Sequence, residues 1–214
     1  MHRHPSEIVH RPESSSCEIG IGDLVDAAGG VDAKMRLVDE PALFLITGIM
    51  AAGKSTVGQA LAERFNRGVH VRGDHFRRAI VAGREDMTSD PSAEALAQLR
   101  LRYELAATVA DRYVGAGFTT VMQDIIIGPM LNDVLSMITT RPLALVVLAP
   151  SADEVARRER ERIKTGYTSI TPADLDTVLR TQTSRLGLWL DSTSLTAPET
   201  VNEILRRVDE ALIH

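Results

Sequence analysis

The sequence predicts an α/β fold in which a parallel sheet carries helices on both faces. One observation is that apolar runs typical of buried strands recur along the chain, at 42–47, 69–72, 118–123, 143–149 and 187–191. A second is that every gap between these runs holds a segment with the apolar period of a helix. A third is that the first run leads directly into a glycine-containing turn and then a helix. Strands and helices that alternate in this way indicate parallel neighbouring strands.

The predicted helices carry their own start signals. Their segments are 54–66, 74–83, 92–116, 129–138, 151–164, 172–186 and 198–212. Ser151 and Thr196 are each followed three residues later by Glu, which is the pattern of a capping box. Pro91 and Pro172 are predicted to lie just inside a helix start, where proline is favoured. Because ligands bind beyond the carboxyl ends of strands in such sheets, the residues that follow each strand are the site candidates.

The regular pattern covers residues 41–214, which we predict to form one domain. Residues 1–40 are predicted to be an N-terminal extension that is partly disordered. Its first part, to about residue 18, is polar, rich in Pro and Ser, and without any period.

The composition narrows the function classes. The formal net charge of −5 argues against a general binder of nucleic acid or anionic membranes. The single cysteine, Cys17, excludes an intramolecular disulfide and suits a reducing compartment. The chain shows neither an apolar run long enough to span a membrane nor a secretory signal pattern. We therefore expect a cytoplasmic protein.

The segment Gly48-Ile-Met-Ala-Ala-Gly-Lys-Ser-Thr56 matches the phosphate-binding loop pattern G-x-x-x-x-G-K-[ST] in full. Backbone N–H groups of such a loop form a nest for the β-phosphate at the positive end of a helix. Lys54 would reach the β- and γ-phosphates, and the Ser55 hydroxyl would take a coordination position on Mg²⁺. An accidental match in a glycine-containing turn is the alternative. The predicted nucleotide-binding residues are Gly48, Ile49, Met50, Ala51, Ala52, Gly53, Lys54, Ser55 and Thr56.

Two carboxylates are predicted to follow strands at the same edge of the sheet. Asp74 follows the strand at 69–72, where it would accept the proton of a substrate hydroxyl that attacks the γ-phosphate. The alternative role is an N-cap for the next helix. Asp124 follows the apolar run at 118–123, which is the Walker-B arrangement in which a carboxylate holds Mg²⁺. The alternative is a structural Asp that binds loop amides.

The predicted helix at 151–164 is rich in arginine. Arg158 and Arg162 are four residues apart and therefore share a face. One hypothesis is a lid whose arginines close over the transferring phosphate, with 164–168 as its flexible tip. The other is a solvated helix, because glutamates interleave with the arginines and would form ion pairs with them.

Together these residues resemble the P-loop small-molecule kinases, particularly those similar to chloramphenicol phosphotransferase, over about residues 42–212. The resemblance implies a nucleoside-kinase-like P-loop NTPase fold with a five-stranded parallel sheet in the order 2-3-1-4-5. It also implies ATP- and Mg²⁺-dependent phosphorylation of a hydroxyl, with Asp74 as the catalytic base. The family pattern leads us to expect two adjacent acids where this chain has Gln123 and Asp124. The segments that carry the resemblance are 48–56, 73–74, 123–128, 158–162 and 188–191.

Our leading hypothesis is a phosphotransferase that moves the γ-phosphate of ATP to a hydroxyl of a small molecule, such as an antibiotic, a sugar or a nucleoside-like metabolite. The alternatives are a nucleotide-dependent switch or NTPase module, and a kinase for nucleotides or polynucleotide ends. A homodimer is left open. The predicted catalytic residues are Lys54, Asp74, Arg158 and Arg162, and the predicted metal ligands are Ser55 and Asp124. Acceptor choice is expected to lie with Arg72, His75, Arg77 and Arg78, the helix at 92–116 and the loop at 125–130.

Overall fold

The strands form one sheet whose order departs from their order in the sequence. The computed structural model describes residues 40–161 and 170–213. Five strands are parallel: β1 Leu43–Thr47, β2 Gly68–Arg72, β3 Thr119–Gln123, β4 Leu143–Leu148 and β5 Leu188–Leu190. Their order is β2-β3-β1-β4-β5, which confirms the order that the family resemblance implies. All five begin and end close to the runs predicted from the sequence.

The burial of the central strands explains why apolar runs in the sequence predicted them. Every residue of β1, β3 and β4 is buried, because each strand is paired on both sides and covered by helices. Strands of this kind appear in a sequence as continuous apolar runs. β2 lies at the edge of the sheet, and its first residue, Gly68, is exposed.

A short strand at the end of the described chain was not predicted. β6 Leu212–Ile213 pairs antiparallel with Leu143 and Ala144 at the start of β4. β5 pairs with the other half of β4, so the two short strands share one edge of it. The predicted helix to residue 212 is therefore wrong at its end. A two-residue strand has no periodicity by which a sequence could reveal it.

Eight helices join the strands in the described part of the chain. They are α1 Lys54–Ala62, α2 Asp74–Ala79, α3 Ala93–Gly115, α4 Met130–Met137, α5 Ala152–Arg160, α6 Pro172–Gln182, α7 Ala197–Arg206 and α8 Val208–Ala211. α1 packs against α7, and α3 packs against α4. The segment predicted as one helix over 198–212 is divided at Arg207, whose φ is −110° and ψ is 25°.

Two helices begin with complete capping boxes. The hydroxyls of Thr171 and Thr196 each accept a hydrogen bond from the backbone N–H three residues later. The carboxylates of Asp174 and Glu199 accept the returning backbone N–H of the cap residue. The box predicted at Thr196 is therefore confirmed, and Pro172 follows Thr171 at the first helical position, as predicted.

Two of the predicted helix-start signals were wrong. Ser151 accepts a hydrogen bond from Glu154 N at 3.3 Å, but the Glu154 carboxylate does not return to it and instead accepts hydrogen bonds from Arg157 and a neighbouring arginine. The capping box predicted there is a one-way cap, because a charged partner on the next turn competes for the carboxylate. Pro91 lies before the N-cap residue, Ser92, and not inside the helix.

Several predicted features fall outside the described residues. These are residues 1–39 of the predicted extension, including Cys17, together with Arg162 and the proposed lid tip at 164–168. Among the helices of the described ranges, none combines the length and the apolarity needed to cross a membrane.

The capping box of α7 leads to a stability prediction. Thr196→Ala removes the acceptor for Glu199 N and should lower the free energy of unfolding by about 1 kcal/mol. Thr108→Ala, at an exposed position inside α3, is the matched control and should change stability by less than about 0.5 kcal/mol. Urea unfolding followed by circular dichroism measures both. Equal effects of the two changes would contradict the prediction.

Candidate functional site

The predicted phosphate-binding loop leaves β1 and turns tightly into α1. Gly48 has a φ of +143°, and a side chain there would overlap the backbone oxygen of Leu148 at the end of β4. Ala51 also has a positive φ, of 57°. No side chain caps α1 at its N-terminus, Gly53, and its first turn contains no acidic residue. Within the described part of the chain, neither a capping side chain nor a first-turn acid occupies the first N–H groups of this helix, as an anion-binding end requires.

Two cations hold the carbonyl groups of this loop. Lys54 is 8% exposed and donates a hydrogen bond to Ile49 O at 2.7 Å. Arg158 donates to Ala52 O at 3.4 Å and to Ser192 O at 3.0 Å. Arg158 therefore joins α5 to the phosphate loop and to the segment after β5. The structure brings Arg158 to the loop, as the lid hypothesis requires, although its donors are directed to backbone carbonyls.

The same arginine is held by Glu154 from its own helix. Arg158 Nε donates to Glu154 Oε1 at 2.6 Å, and Arg157 donates to both oxygens of that carboxylate. Hydrogen bonds from Arg157, together with the charge and hydrogen bond of Arg158, lower the pKa of Glu154 to about 2. The ion pairs expected of a solvated helix are therefore present on α5, alongside the contact of Arg158 with the loop.

Asp124 lies in a buried ion pair with Arg102 of α3. The side chains are 1% and 6% exposed respectively. Arg102 Nε donates to Asp124 Oδ2 at 2.6 Å, and its Nη2 donates to Oδ1. Ile125 N donates to Oδ1 at 2.7 Å. Burial raises the pKa of the Asp124 carboxyl, and the charge and hydrogen bonds of Arg102 act against that rise.

Gly73 closes the remaining side of this carboxylate. A Cβ atom at residue 73 would overlap Asp124 Oδ2, so only glycine fits between the end of β2 and this group. Gly73 N donates to Gln123 O at 3.1 Å, and Asp124 N donates to Ile46 O at 3.3 Å. The carboxyl ends of β1, β2 and β3 thus meet around Asp124.

The two predicted metal ligands have different surroundings. The Ser55 hydroxyl is exposed at the start of α1 and is suited to a magnesium ligand beside bound phosphates. Both Asp124 oxygens already accept hydrogen bonds, so its role as a ligand stays a prediction that its contacts do not favour. In the described ranges, His, Cys, Asp and Glu form no group of three or more that could hold a metal.

Asp74 is the first residue of α2 and does not act as a side-chain cap. Its Oδ2 lies 2.6 Å from Arg78 Nη2, and its Oδ1 lies 4.0 Å from Arg77 Nη1. The carboxylate is 33% exposed, so it remains accessible at the carboxyl edge of the sheet. The structure thus excludes the capping alternative for Asp74 and leaves its carboxylate held by arginine.

The loop between α2 and α3 is anchored over this region. Arg77 forms an ion pair with Asp86 in the loop. Gln98 of α3 donates to Gly83 O at 2.8 Å and accepts from Glu85 N at 2.9 Å. The loop therefore has a defined course beside Asp74.

His70 packs on α1 from the face of β2 that points toward that helix. Its Nδ1 lies 3.1 Å from Gln59 Oε1, and a Cβ atom at Gly58 would lie 2.8 Å from its Nε2. Burial, followed by the charges of Arg72 and His75, lowers the pKa of His70 from its ordinary 6.5 to about 4. The ring is therefore neutral at physiological pH.

Residues that sequence reasoning missed hold the segment after β3. Thr47 Oγ1 donates to Ile126 O at 2.7 Å and accepts from Ile126 N at 2.9 Å. Tyr103 OH donates to Ile125 O at 2.6 Å. The buried Arg102 was also missed, although it carried a signal: it interrupts the apolar stripe of α3 beside Tyr103. A charged residue in such a stripe indicates a buried partner of opposite charge.

Comparisons with known proteins agree with this architecture. Residues 43–186 match a family model described as an AAA domain. A sugar kinase from Janibacter sp. HTCC2649 is 17% identical, with 80% of this chain and 96% of that chain covered at a TM-score of 0.56. Among curated proteins, none matches the chain.

Two further solved structures are kinases. The Mycobacterium tuberculosis APS kinase CysC, in complex with AMPPNP and APS, is 16% identical, with 78% of this chain and 96% of that chain covered at a TM-score of 0.55. Shikimate kinase from Acinetobacter baumannii, in complex with shikimate, is 18% identical, with 81% and 95% covered at a TM-score of 0.54. Identities this low show the shared P-loop kinase fold alone.

The buried ion pair leads to a stability prediction. Arg102→Met leaves the Asp124 carboxylate buried without its cation and should cost about 3–5 kcal/mol of unfolding free energy. Arg100→Met on the same helix removes an exposed pair with Glu104 and should cost less than about 1 kcal/mol. Chemical denaturation measures both. The double variant Arg102→Met/Asp124→Leu should recover much of the loss, and a double variant as unstable as Arg102→Met would contradict this account.

His70 leads to a prediction about pH. Between pH 6.5 and about 4 the unfolded chain binds a proton at His70 that the native state does not. Protonation of His70 therefore favours the unfolded state, and the free energy of unfolding falls as pH is lowered from 6.5 toward 4. His70→Gln should flatten that fall by about 1 kcal/mol, allowing for solvent screening of the half-buried ring. Urea unfolding at several pH values tests this. The exposed His75→Gln should retain most of the fall, and identical curves for all three proteins would refute the assignment.

Proposed function

The chain belongs to the AAA domain family, and from this premise we propose that it is an ATP-dependent phosphotransferase. Its acceptor is the hydroxyl group of a small molecule, such as an antibiotic, a sugar or a nucleoside-like metabolite. The observation that carries the proposal is the placement of Asp74. Its strand lies two positions from β1, which leads into the phosphate loop, so about 10 Å of sheet separates the two strand ends.

In the proposed reaction, the phosphate loop binds ATP and Asp74 activates the acceptor. The nest of loop N–H groups and Lys54 would bind the β- and γ-phosphates of ATP. The acceptor hydroxyl, placed between the loop and Asp74, attacks the γ-phosphorus as the bond to the β–γ bridging oxygen breaks. Its proton passes to the Asp74 carboxylate, and ADP leaves. Mg²⁺ bound at the Ser55 hydroxyl and the phosphates would neutralise charge on the phosphate oxygens.

Asp74 has to be available for this role. In the structure it is paired with Arg78, whose side chain is 54% exposed and can move. Binding of the acceptor would then exchange the Arg78 contact for the substrate hydroxyl.

The arginines of α5 support the loop in this proposal. Arg158 fixes the position of Ala52 through its carbonyl and would need to leave that carbonyl to reach a phosphate. Stabilisation of the transferring phosphate by Arg158 and Arg162 stays a prediction.

The proposal predicts the effect of one substitution on turnover. Asp74→Asn preserves shape but cannot accept the proton, so kcat should fall by about 10²–10⁴-fold while ATP still binds. Mass spectrometry of candidate hydroxyl compounds incubated with the protein and MgATP measures the added phosphate. Asp90→Asn, in the exposed loop before α3, is the control and should keep full activity.

Other outcomes would point elsewhere. ATP hydrolysis that no acceptor changes, and that Asp74→Asn leaves intact, would favour a nucleotide-dependent switch. Phosphate added only to nucleotides or polynucleotide ends would replace the small-molecule acceptor.

A further inference from the structure

The register of the sheet assigns each side chain at its carboxyl edge to one face. His70 contacts Gly58 and Gln59 of α1, so the face of β2 that carries His70 is the α1 face. Side chains alternate along a strand, and therefore Arg72 shares this face. Arg72 is the register partner of Gln123 on β3, and partners in neighbouring strands point to the same face.

The next residue on β3 points the other way. Asp124 follows Gln123, and its carboxylate meets Arg102 of α3. The end of β3 thus presents the amide of Gln123, and not the carboxylate of Asp124, to the side of the sheet that holds α1. Since α1 begins at the phosphate loop, Arg72 and Gln123 are polar strand-end side chains on the same face as the helix that this loop starts.

Among the residues that the structure describes, Arg72 forms no ion pair. The side chain is half-buried, and its Nε is buried without a hydrogen-bond partner. Within residues 40–161 and 170–213, no carboxylate forms an ion pair with it and its guanidinium makes no hydrogen bond. Gln123 is 5% exposed, and over the same ranges its side-chain amide also forms no hydrogen bond. Partly desolvated donors of this kind are costly unless a ligand completes them.

The charges near Arg72 also favour an anionic ligand. Burial, followed by the charge of Arg72 on the same face of β2, lowers the pKa of His70, so the guanidinium of Arg72 supplies positive charge at the end of this strand. Asp74, the nearest acid along the chain, is held by Arg78. A positive region next to a phosphate loop favours anionic oxygens over a metal ion.

We propose that Arg72 and Gln123 form an oxyanion-binding pair beside the phosphate loop, and that Asp124 contributes no metal ligand there. The guanidinium and the amide N–H₂ would donate hydrogen bonds to phosphoryl or carboxylate oxygens. These oxygens belong either to the transferring γ-phosphate or to an anionic group on the acceptor. This inference rests on the proposed kinase function and adds a binding residue and a ligand charge to it.

The surroundings of Asp124 support the proposal that it contributes no metal ligand. Its Oδ1 accepts hydrogen bonds from Arg102 and from Ile125 N, and its Oδ2 accepts from Arg102 Nε while Gly73 closes against it. A divalent cation would have to displace a buried guanidinium to reach either oxygen. Such a displacement leaves Arg102 unpaired in the interior, which is strongly unfavourable.

Isothermal titration calorimetry with three probes tests the pair: ATP and ADP, each in EDTA, and orthophosphate added to protein saturated with AMPPNP. Arg72→Met is compared with wild type and with Arg206→Met, which removes an arginine that is 60% exposed on α7. If the pair binds the γ-phosphate, Arg72→Met removes a charge-assisted hydrogen bond and should weaken ATP binding about 10- to 100-fold. ADP binding should then be weakened far less. Loss of orthophosphate binding alone would instead assign the pair to an anionic acceptor.

The inference is overturned if Arg72→Met binds all three probes as wild type does. Thermal unfolding of each variant shows that the comparison is made on folded protein, and Arg72→Lys should recover part of the lost affinity because it keeps the charge. Failure of the proposed function has a different signature: wild type would transfer phosphate to no acceptor. This inference would fall as well only if wild type bound neither ATP nor AMPPNP.

A second variant tests the amide. Gln123→Glu places a carboxylate of the same size next to Arg72, where it should pair with the guanidinium and weaken ATP binding in EDTA to the level of Arg72→Met. Asp124→Asn, if it folds, should leave the Mg²⁺ dependence of ATP binding unchanged. Binding of all three probes that Gln123→Glu leaves unaltered would overturn the first half of the inference. A Mg²⁺ dependence that Asp124→Asn abolishes would overturn the second half.

Discussion

The buried ion pair between Arg102 and Asp124 joins the long helix α3 to the edge of the sheet at which the site segments meet. Asp124 lies between the ends of β1 and β2: its own N–H donates to Ile46 O, and its carboxylate contacts Gly73. Removing two charges from water is costly, and the cost is offset only by complete hydrogen bonding. Here three donors reach the carboxylate, two from Arg102 and one from Ile125 N. The position of Asp74, which directly follows Gly73, therefore depends on a contact on the opposite face of the sheet.

In the phosphate loop, the carbonyl groups and the N–H groups have different partners. Its carbonyl oxygens are directed to cations of the protein, Ile49 O to Lys54 and Ala52 O to Arg158. Carbonyls held in this way cannot turn toward an anion, so the amide N–H groups are left for it. Lys54 donates to an oxygen of the loop itself, and in the proposed function it would donate to phosphate oxygens. The same side chain can thus hold the shape of the loop and neutralise phosphate charge.

The sequence predicted the fold well because the signals were local. Continuous apolar runs such as 143–149 located the central strands, and the phosphate-loop pattern fixed the end of β1. The environment of Asp124 could not be obtained in this way, because the face to which a strand residue points depends on register with neighbours distant in sequence. Ser151 shows the same limit, since the partner chosen by Glu154 is set by Arg157 and Arg158 on the folded helix. Long charged side chains have several partners within reach, and only the tertiary structure selects among them.

The two halves of the site differ in what builds them. The nucleotide half consists mostly of backbone groups, whose geometry is fixed by glycine positions and by the start of a helix. The half proposed to bind the acceptor consists of side chains on α2 and its following loop, where Arg77 and Arg78 face Asp74 and Asp86. Charged side chains on a short helix can be exchanged without disturbing the sheet, because β2 ends before them and α3 anchors their loop through Gln98. A scaffold of this kind keeps the position of the phosphate constant while the acceptor half changes.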